Sequence, residues 1–169
     1  KELNNKQVGF VLDLRSNPGG LLTQSVKVSD IFLERGEIVS TRGRKKSEGN
    51  RYNAVKNDLT NGLPLVVLIN QGSASASEIV AGTVQDLDRG LVIGQKSFGK
   101  GLVQTAYSID KKRSITVTTA RYYVPSGRFI QKRDYIDEKY IMNQAEEDSV
   151  FKTVGGRTVL GNGGITPDS

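Results

Sequence analysis

The 169-residue sequence contains no cysteine and no histidine, and these two absences narrow the chemistry sharply. Without cysteine there are no disulfides, no thiol nucleophile and no thiolate metal site. With histidine absent too, the remaining carboxylates favour hard cations over zinc or copper, so neither a metal nor a cofactor is expected. Long apolar runs are also missing. The longest, Leu63–Ile69, is interrupted by Pro64 and falls far short of the ~20 residues of a membrane helix. No membrane-spanning segment is therefore expected in this chain. The first residue is Lys1 and no signal-like segment precedes the first strand pattern, which suggests a mature product or an excised fragment.

Hydrophobic residues make up 36% and charged residues 25% of the chain, enough to build a buried core within one domain. The net charge is +6, which raises nucleic acid as a partner. The basic residues are scattered, however. The densest run, Arg42-Gly43-Arg44-Lys45-Lys46, reads as a surface loop and has no interleaved aromatics on which bases could stack. Nucleic-acid binding is not expected.

Val8–Leu14 is short, apolar and β-branched enough for a buried strand, broken by Asn17-Pro18-Gly19-Gly20. Leu22, Val26, Ser29 and Leu33 then fall on one helical face, which predicts a helix ending near Gly36. Pro64–Asn70 reads as a second buried strand. Ala76, Ile79, Val80, Thr83, Val84 and Leu87 mark a second helix, and Leu91–Gly94 a third strand. Leu102–Ile109 and Ser114–Tyr123, joined by Asp110-Lys111-Lys112-Arg113, form a hairpin pattern. Gln131–Ser149 reads as helical or loop-like, and the glycines at 155–156 and 161–164 as turns. The alternation of strand and helix followed by β structure predicts a single α/β domain, residues 1–169, with at least three parallel strands and a β-rich C-terminal part.

Both glycine-containing turns follow a buried strand and open a helix, which places them at the carboxyl edge of a parallel sheet, where open α/β folds build their sites. One carries Gly72-Ser73-Ala74-Ser75-Ala76-Ser77-Glu78. A serine hydroxyl needs a base before it attacks. With histidine absent, a lysine amine is the remaining familiar choice. Ser75 and Lys100, in Ser97-Phe98-Gly99-Lys100-Gly101, are the candidates. Such an amine acts as a base only where apolar surroundings disfavour its ammonium form. Gln104 could hold it by a hydrogen bond without adding negative charge. The N–H groups of Gly19, Gly20 and Ala76 are candidate oxyanion donors.

Simpler readings stand beside these. Ser73, Ser75 or Ser77 could be ordinary N-caps, with Glu78 completing a capping box; Lys100 could be a surface lysine, and Gly19-Gly20 a tight turn. Two rival motifs fail. The stretch Gly94–Gly101 lacks the hydroxyl a phosphate loop needs after its lysine and continues as strand. Ser97-x-x-Lys100 lacks the partner motifs of penicillin-binding proteins.

Five stretches, in order, resemble the C-terminal processing peptidases, or tail-specific proteases, a serine–lysine family. They are Asp13–Gly20, Gly72–Ile79, Gly94–Gln104, Ala120–Gly127 and Gly161–Asp168. The resemblance implies a crotonase-like core, with Ser75 as nucleophile, Lys100 as general base, Gln104 orienting it, and Ala76 with Gly19 or Gly20 as oxyanion donors. Asp86 matches an aspartate some relatives carry, with at most a supporting role. Implied substrates are unstructured protein C-termini ending in small or apolar residues, cut in the bacterial envelope or its equivalent; an oligomer is possible. Family members carry an upstream PDZ domain and more of the peptidase core, so a fragment is expected here. A non-catalytic peptide-binding or scaffold fragment is the alternative. An acyl-CoA enzyme on the same core is weaker, because it gives the serines no task.

Overall fold

The structure, a computed structural model, describes residues 7–45, 47, 49–132, 134–136, 139–141, 149–161 and 163–169. Its centre is β4 (Leu65–Ile69), whose residues alternate between buried and half-buried. β4 pairs in parallel with β1 (Phe10–Asp13) on one side and β5 (Leu91–Gly94) on the other. The predicted three parallel strands are therefore present in the order β1-β4-β5. Between β4 and β5 runs α2 (Ala76–Asp86), in which every residue is buried. A helix without a solvent face belongs to the interior, and α2 indeed touches α1 (Leu22–Asp30), β2 (Glu37–Gly43), β4 and β5.

A second sheet is antiparallel, in the order β3-β2-β7-β6, with β3 spanning Asn50–Asn53, β6 Leu102–Ser108 and β7 Ser114–Tyr123. The hairpin β6–β7 falls where the β-branched pattern placed it. Three expectations need correction. Arg42 and Gly43 belong to β2 and not to a loop. α1 stops at Asp30, because that carboxylate accepts the Val55 and Lys56 N–H groups (2.8 and 3.2 Å) and anchors the next turn. Leu33 still reaches the core, 3% exposed, from outside the helix. Within the stretch read as helical or loop-like, β8 (Asp134–Ile136) and β9 (Lys139–Ile141) pair antiparallel; residues 142–148 lie outside the described residues. β10 (Val150–Lys152) and β11 (Thr158–Leu160) close a last hairpin. Beyond it the chain runs along β5: the Asp168 N–H donates to Val92 O (2.7 Å) and the Gly94 N–H to Ser169 O (2.9 Å). No described helix is long and apolar enough to cross a membrane.

Candidate active site

The loops that leave β1, β4 and β5 meet at the carboxyl edge of the parallel sheet and carry Gly19, Gly20, Ser75 and Lys100, with Ala76 opening α2 and Gln104 in β6. The β4 loop is built first. The Asn70 carboxamide oxygen accepts the Ser16 and Gly72 N–H groups (2.7 and 3.0 Å), which pulls the loops after β1 and β4 together. A Cβ on Gly72 would lie 2.9 Å from Ser16 Cα, so only glycine fits there.

The three serines then take different positions. Ser73 is fully buried, donating to Leu14 O (2.7 Å) and accepting from the Asn70 N–H (2.9 Å). Ser77 donates to Asn17 O (3.1 Å). Ser75 alone lines the open cleft, at φ 56° and ψ −115° immediately before α2. A non-glycine residue there stores roughly 1–3 kcal/mol of strain and persists only where its surroundings impose it. A sharp, strained strand-to-helix turn is also how α/β-hydrolases present their nucleophilic serine. Residue type gave no hint of this, since serine rarely adopts positive φ. Glu78 does accept the Ser75 N–H (2.8 Å), as the capping reading requires, but its role extends further.

The Glu78 carboxylate is fully buried and reaches the loop after β5. It accepts the Ser97 hydroxyl (2.5 Å), the Gly99 N–H (2.7 Å) and the Lys100 N–H (2.8 Å). Burial pushes its pKa above the usual value, against the hydrogen bonds from Ser97, Lys100, Gly99 and Ser75 that favour the charged form. Sequence reasoning saw only its local partner.

Lys100, half-buried, lines the same cleft as Ser75, Ala76, Gly20 and Gln104, a cavity of about 240 Å³. Gln104 directly follows a β-bulge between β6 and β7, a feature that re-aims side chains; its side chain is exposed. Among the described residues no hydrogen bond joins Ser75 to the Lys100 amine, or that amine to Gln104. The three meet as walls of one cleft.

The glycine pair divides its work. Gly19 (φ +96°) has its N–H engaged by Asn17 Oδ1 (3.0 Å). A Cβ there would meet Ala74 O at 2.5 Å and Ala76 N at 2.7 Å. Gly20 lies in the open, with nothing within 4 Å of a Cβ position. Among the described residues neither the Gly20 nor the Ala76 N–H has a backbone or side-chain acceptor. Next to this turn a second, more apolar pocket of about 140 Å³ is lined by residues including Leu14, Leu21, Val28, Ala76 and Val80.

Asp86 is elsewhere. It is buried against Arg128 (2.7 Å), both side chains fully covered, and accepts the Ser126 N–H (2.9 Å). Burial raises its pKa despite the Arg128 charge, and burial lowers that of Arg128 despite the aspartate. The pair ties α2 to the segment after β7 and does not enter the cleft. No group of three or more acidic residues among the described residues could hold a metal ion.

Known proteins are similar to this chain in sequence and in fold. The chain is 57% identical over 127 residues to a carboxy-terminal-processing protease of Bartonella bacilliformis, covering 75% of this chain and 29% of that protein. A chloroplastic C-terminal processing peptidase of Tetradesmus obliquus is 43% identical over 134 residues, 78% of this chain and 28% of that one. The solved structure of a photosystem II D1 C-terminal processing protease aligns with a TM-score of 0.66 at 41% identity, over 73% of this chain and 32% of that chain. The chain thus spans about a third or less of these relatives. Residues 1–140 match the model described as Peptidase family S41, and the chain belongs to that family.

Proposed function

We propose that this chain forms the catalytic core of a serine endopeptidase that cuts proteins near unstructured, apolar C-termini. The observation that carries the reading is the cleft itself. Ser75, strained at a helix N-terminus, faces it together with Lys100 and Gln104, beside the Gly20 and Ala76 N–H groups, which have no acceptor among the described residues. The positive end of α2 favours negative charge at that point.

In this mechanism the Lys100 amine takes the proton of the Ser75 hydroxyl as Oγ attacks the scissile carbonyl carbon. The carbonyl oxygen, now an alkoxide, receives the Ala76 and Gly20 N–H groups; each such donor is worth about 10²–10³ in rate. The Lys100 ammonium then gives its proton to the departing amine, leaving an acyl ester on Ser75. Water, deprotonated by Lys100, hydrolyses that ester and restores the serine. Gln104 orients the amine once substrate closes the cleft, since catalytic hydrogen bonds often tighten only in the complex. Gly20 is assigned over Gly19 because Asn17 already occupies the Gly19 N–H. The apolar pocket beside Ala76 suits a small or apolar substrate side chain. The crotonase-like core, the extracytoplasmic location in the bacterial envelope and the upstream PDZ domain belong to the same reading, supported by family membership.

The test uses the full-length protein. Ser75→Ala and Lys100→Ala should each abolish cleavage of an unstructured peptide with an apolar C-terminus while circular dichroism stays unchanged. Turnover retained in either variant overturns the assignment. Peptide binding without cleavage by the wild type would instead mark a non-catalytic peptide-binding scaffold.

A further inference from the structure

Ser75 and Lys100 are held through their main chains by the same two side chains. On the N–H side, one oxygen of Glu78 accepts both the Ser75 and the Lys100 N–H groups, each at 2.8 Å. On the carbonyl side, the Tyr122 hydroxyl reaches both the Ser75 carbonyl (3.2 Å) and the Lys100 carbonyl. A phenol carries a single proton; the shorter contact makes the Lys100 carbonyl its main acceptor. Both side chains are buried, Glu78 at 0% and Tyr122 at 1% exposure, so water does not compete for these bonds.

The other Glu78 oxygen extends the grip to Gly99 N–H and the Ser97 hydroxyl, and Ser97 in turn accepts the Ile165 N–H (2.7 Å). Four donors face Glu78, which is the full acceptor capacity of an ionised carboxylate. A local cap needs only the first of them. The remaining three cross from α2 to a loop more than fifteen residues away, and that loop carries Lys100.

We infer that Glu78 and Tyr122 are positioning residues that fix the Ser75–Lys100 separation, gripping the two residues from opposite sides of the peptide chain. This rests on the dyad reading above. Glu78 lies outside the cleft, and Tyr122, although it lines the cleft wall, has its hydroxyl committed to the two carbonyls; both act by holding the backbone that carries the reacting side chains. A misplacement of about 1 Å in a reacting pair costs roughly 10²-fold in rate.

The test compares wild type, Tyr122→Phe, Glu78→Gln and Ser75→Ala in the full-length protein, measuring kcat and KM on the apolar-tailed peptide. Labelling of Ser75 by a small fluorophosphonate is followed in parallel, because it reports serine activation with little dependence on substrate contacts. Tyr122→Phe keeps the ring and removes only the hydroxyl, so it should fold. Its kcat and labelling rate should fall together by about tenfold or more with KM within twofold. Glu78→Gln turns one acceptor oxygen into an amide donor facing N–H groups and should lose about 10²-fold. Should Glu78→Gln fail to fold, Tyr122→Phe decides alone. Wild-type kcat in Tyr122→Phe, or a loss confined to KM, overturns the clamp. Turnover in Ser75→Ala overturns the dyad reading and the clamp with it. An inactive Ser75→Ala beside fully active clamp variants overturns the clamp alone.

Discussion

Substituting alanine at Gly19 and Gly20 in turn separates two neighbours that the sequence makes equivalent. At Gly19 the backbone sits at φ +96°, where a residue with a Cβ costs about 1–2 kcal/mol. The added carbon would also stand 2.5 Å from Ala74 O, 2.7 Å from Ala76 N and 2.9 Å from Ser75 Cβ. Two of those atoms are backbone and cannot rotate away, so overpacking adds about 1–3 kcal/mol. The expected loss is therefore about 2–5 kcal/mol, a large share of the 5–15 kcal/mol typical of a domain. At Gly20 a Cβ meets nothing within 4 Å and φ lies outside the left-handed region. That change should be neutral, or gain about 0.4–1 kcal/mol by restricting the unfolded chain. Urea unfolding followed by far-UV circular dichroism measures both. A gap of about 2 kcal/mol shifts the midpoint by around 1 M at ordinary m-values. Relief of the clash at Gly19 moves the Ala74–Ala76 turn, so turnover should fall with stability. Equal midpoints for the two variants would refute the close approach of the β1 loop to the Ala74–Ala76 turn.

Arg128→Met should leave Asp86 buried without its ion pair and destabilise by about 3–5 kcal/mol; differential scanning calorimetry should show Tm lower by roughly 6–20 °C, and an unchanged Tm would sink the pair's role in tying α2 to the segment after β7. Burial raises the pKa of Asp58, but hydrogen bonds from Thr60 and Gly62 and the Arg89 charge outweigh it and hold the carboxyl below its ordinary value of 3.8. A depressed folded-state pKa means stability that is present above that value and lost as pH falls through the folded one. The stability gap between wild type and Asp58→Asn should thus narrow below about pH 4, and urea midpoints showing a constant gap down to that range would contradict it.

The parallel sheet was legible because Phe10–Leu12, Leu65–Ile69 and Leu91–Ile93 are short unbroken apolar runs bounded by turn residues. Val11 and Leu91 nevertheless stay exposed, so β1 and β5 are less buried than those runs suggest. The loops after β1 and β4 announced themselves through Asn17–Gly20 and Gly72–Ser77. β2 was not legible for an identifiable reason. Its pairing with β3 shifts register between Glu37 and Val39, so Ile38 and Val39 are both buried in succession. Alternation, the signal for a half-exposed strand, is broken at that point, and the charged end with Arg42 then imitates a loop. The same limit hid the bulge before Gln104: the run Leu102–Ser108 reads as strand whatever its register.

Glu78 shows how a correct local reading can conceal the larger one. The Ser75-x-x-Glu78 spacing predicts a capping box, and the Ser75 N–H to Glu78 bond is there. Yet capping is worth about 0.5–2 kcal/mol, while burying a carboxylate away from water costs several. A cap alone would leave that cost unmet, and an exposed glutamate would serve as well. Complete burial of the acid therefore demands further donors, which the loop from Ser97 to Lys100 supplies. Nothing in the spacing of those residues reveals that they turn their N–H groups toward α2, because the contact spans two elements. The sequence carries the identity of the serine and the lysine. Their separation is a property of the fold, imposed through a buried acid and a buried phenol that composition alone leaves anonymous.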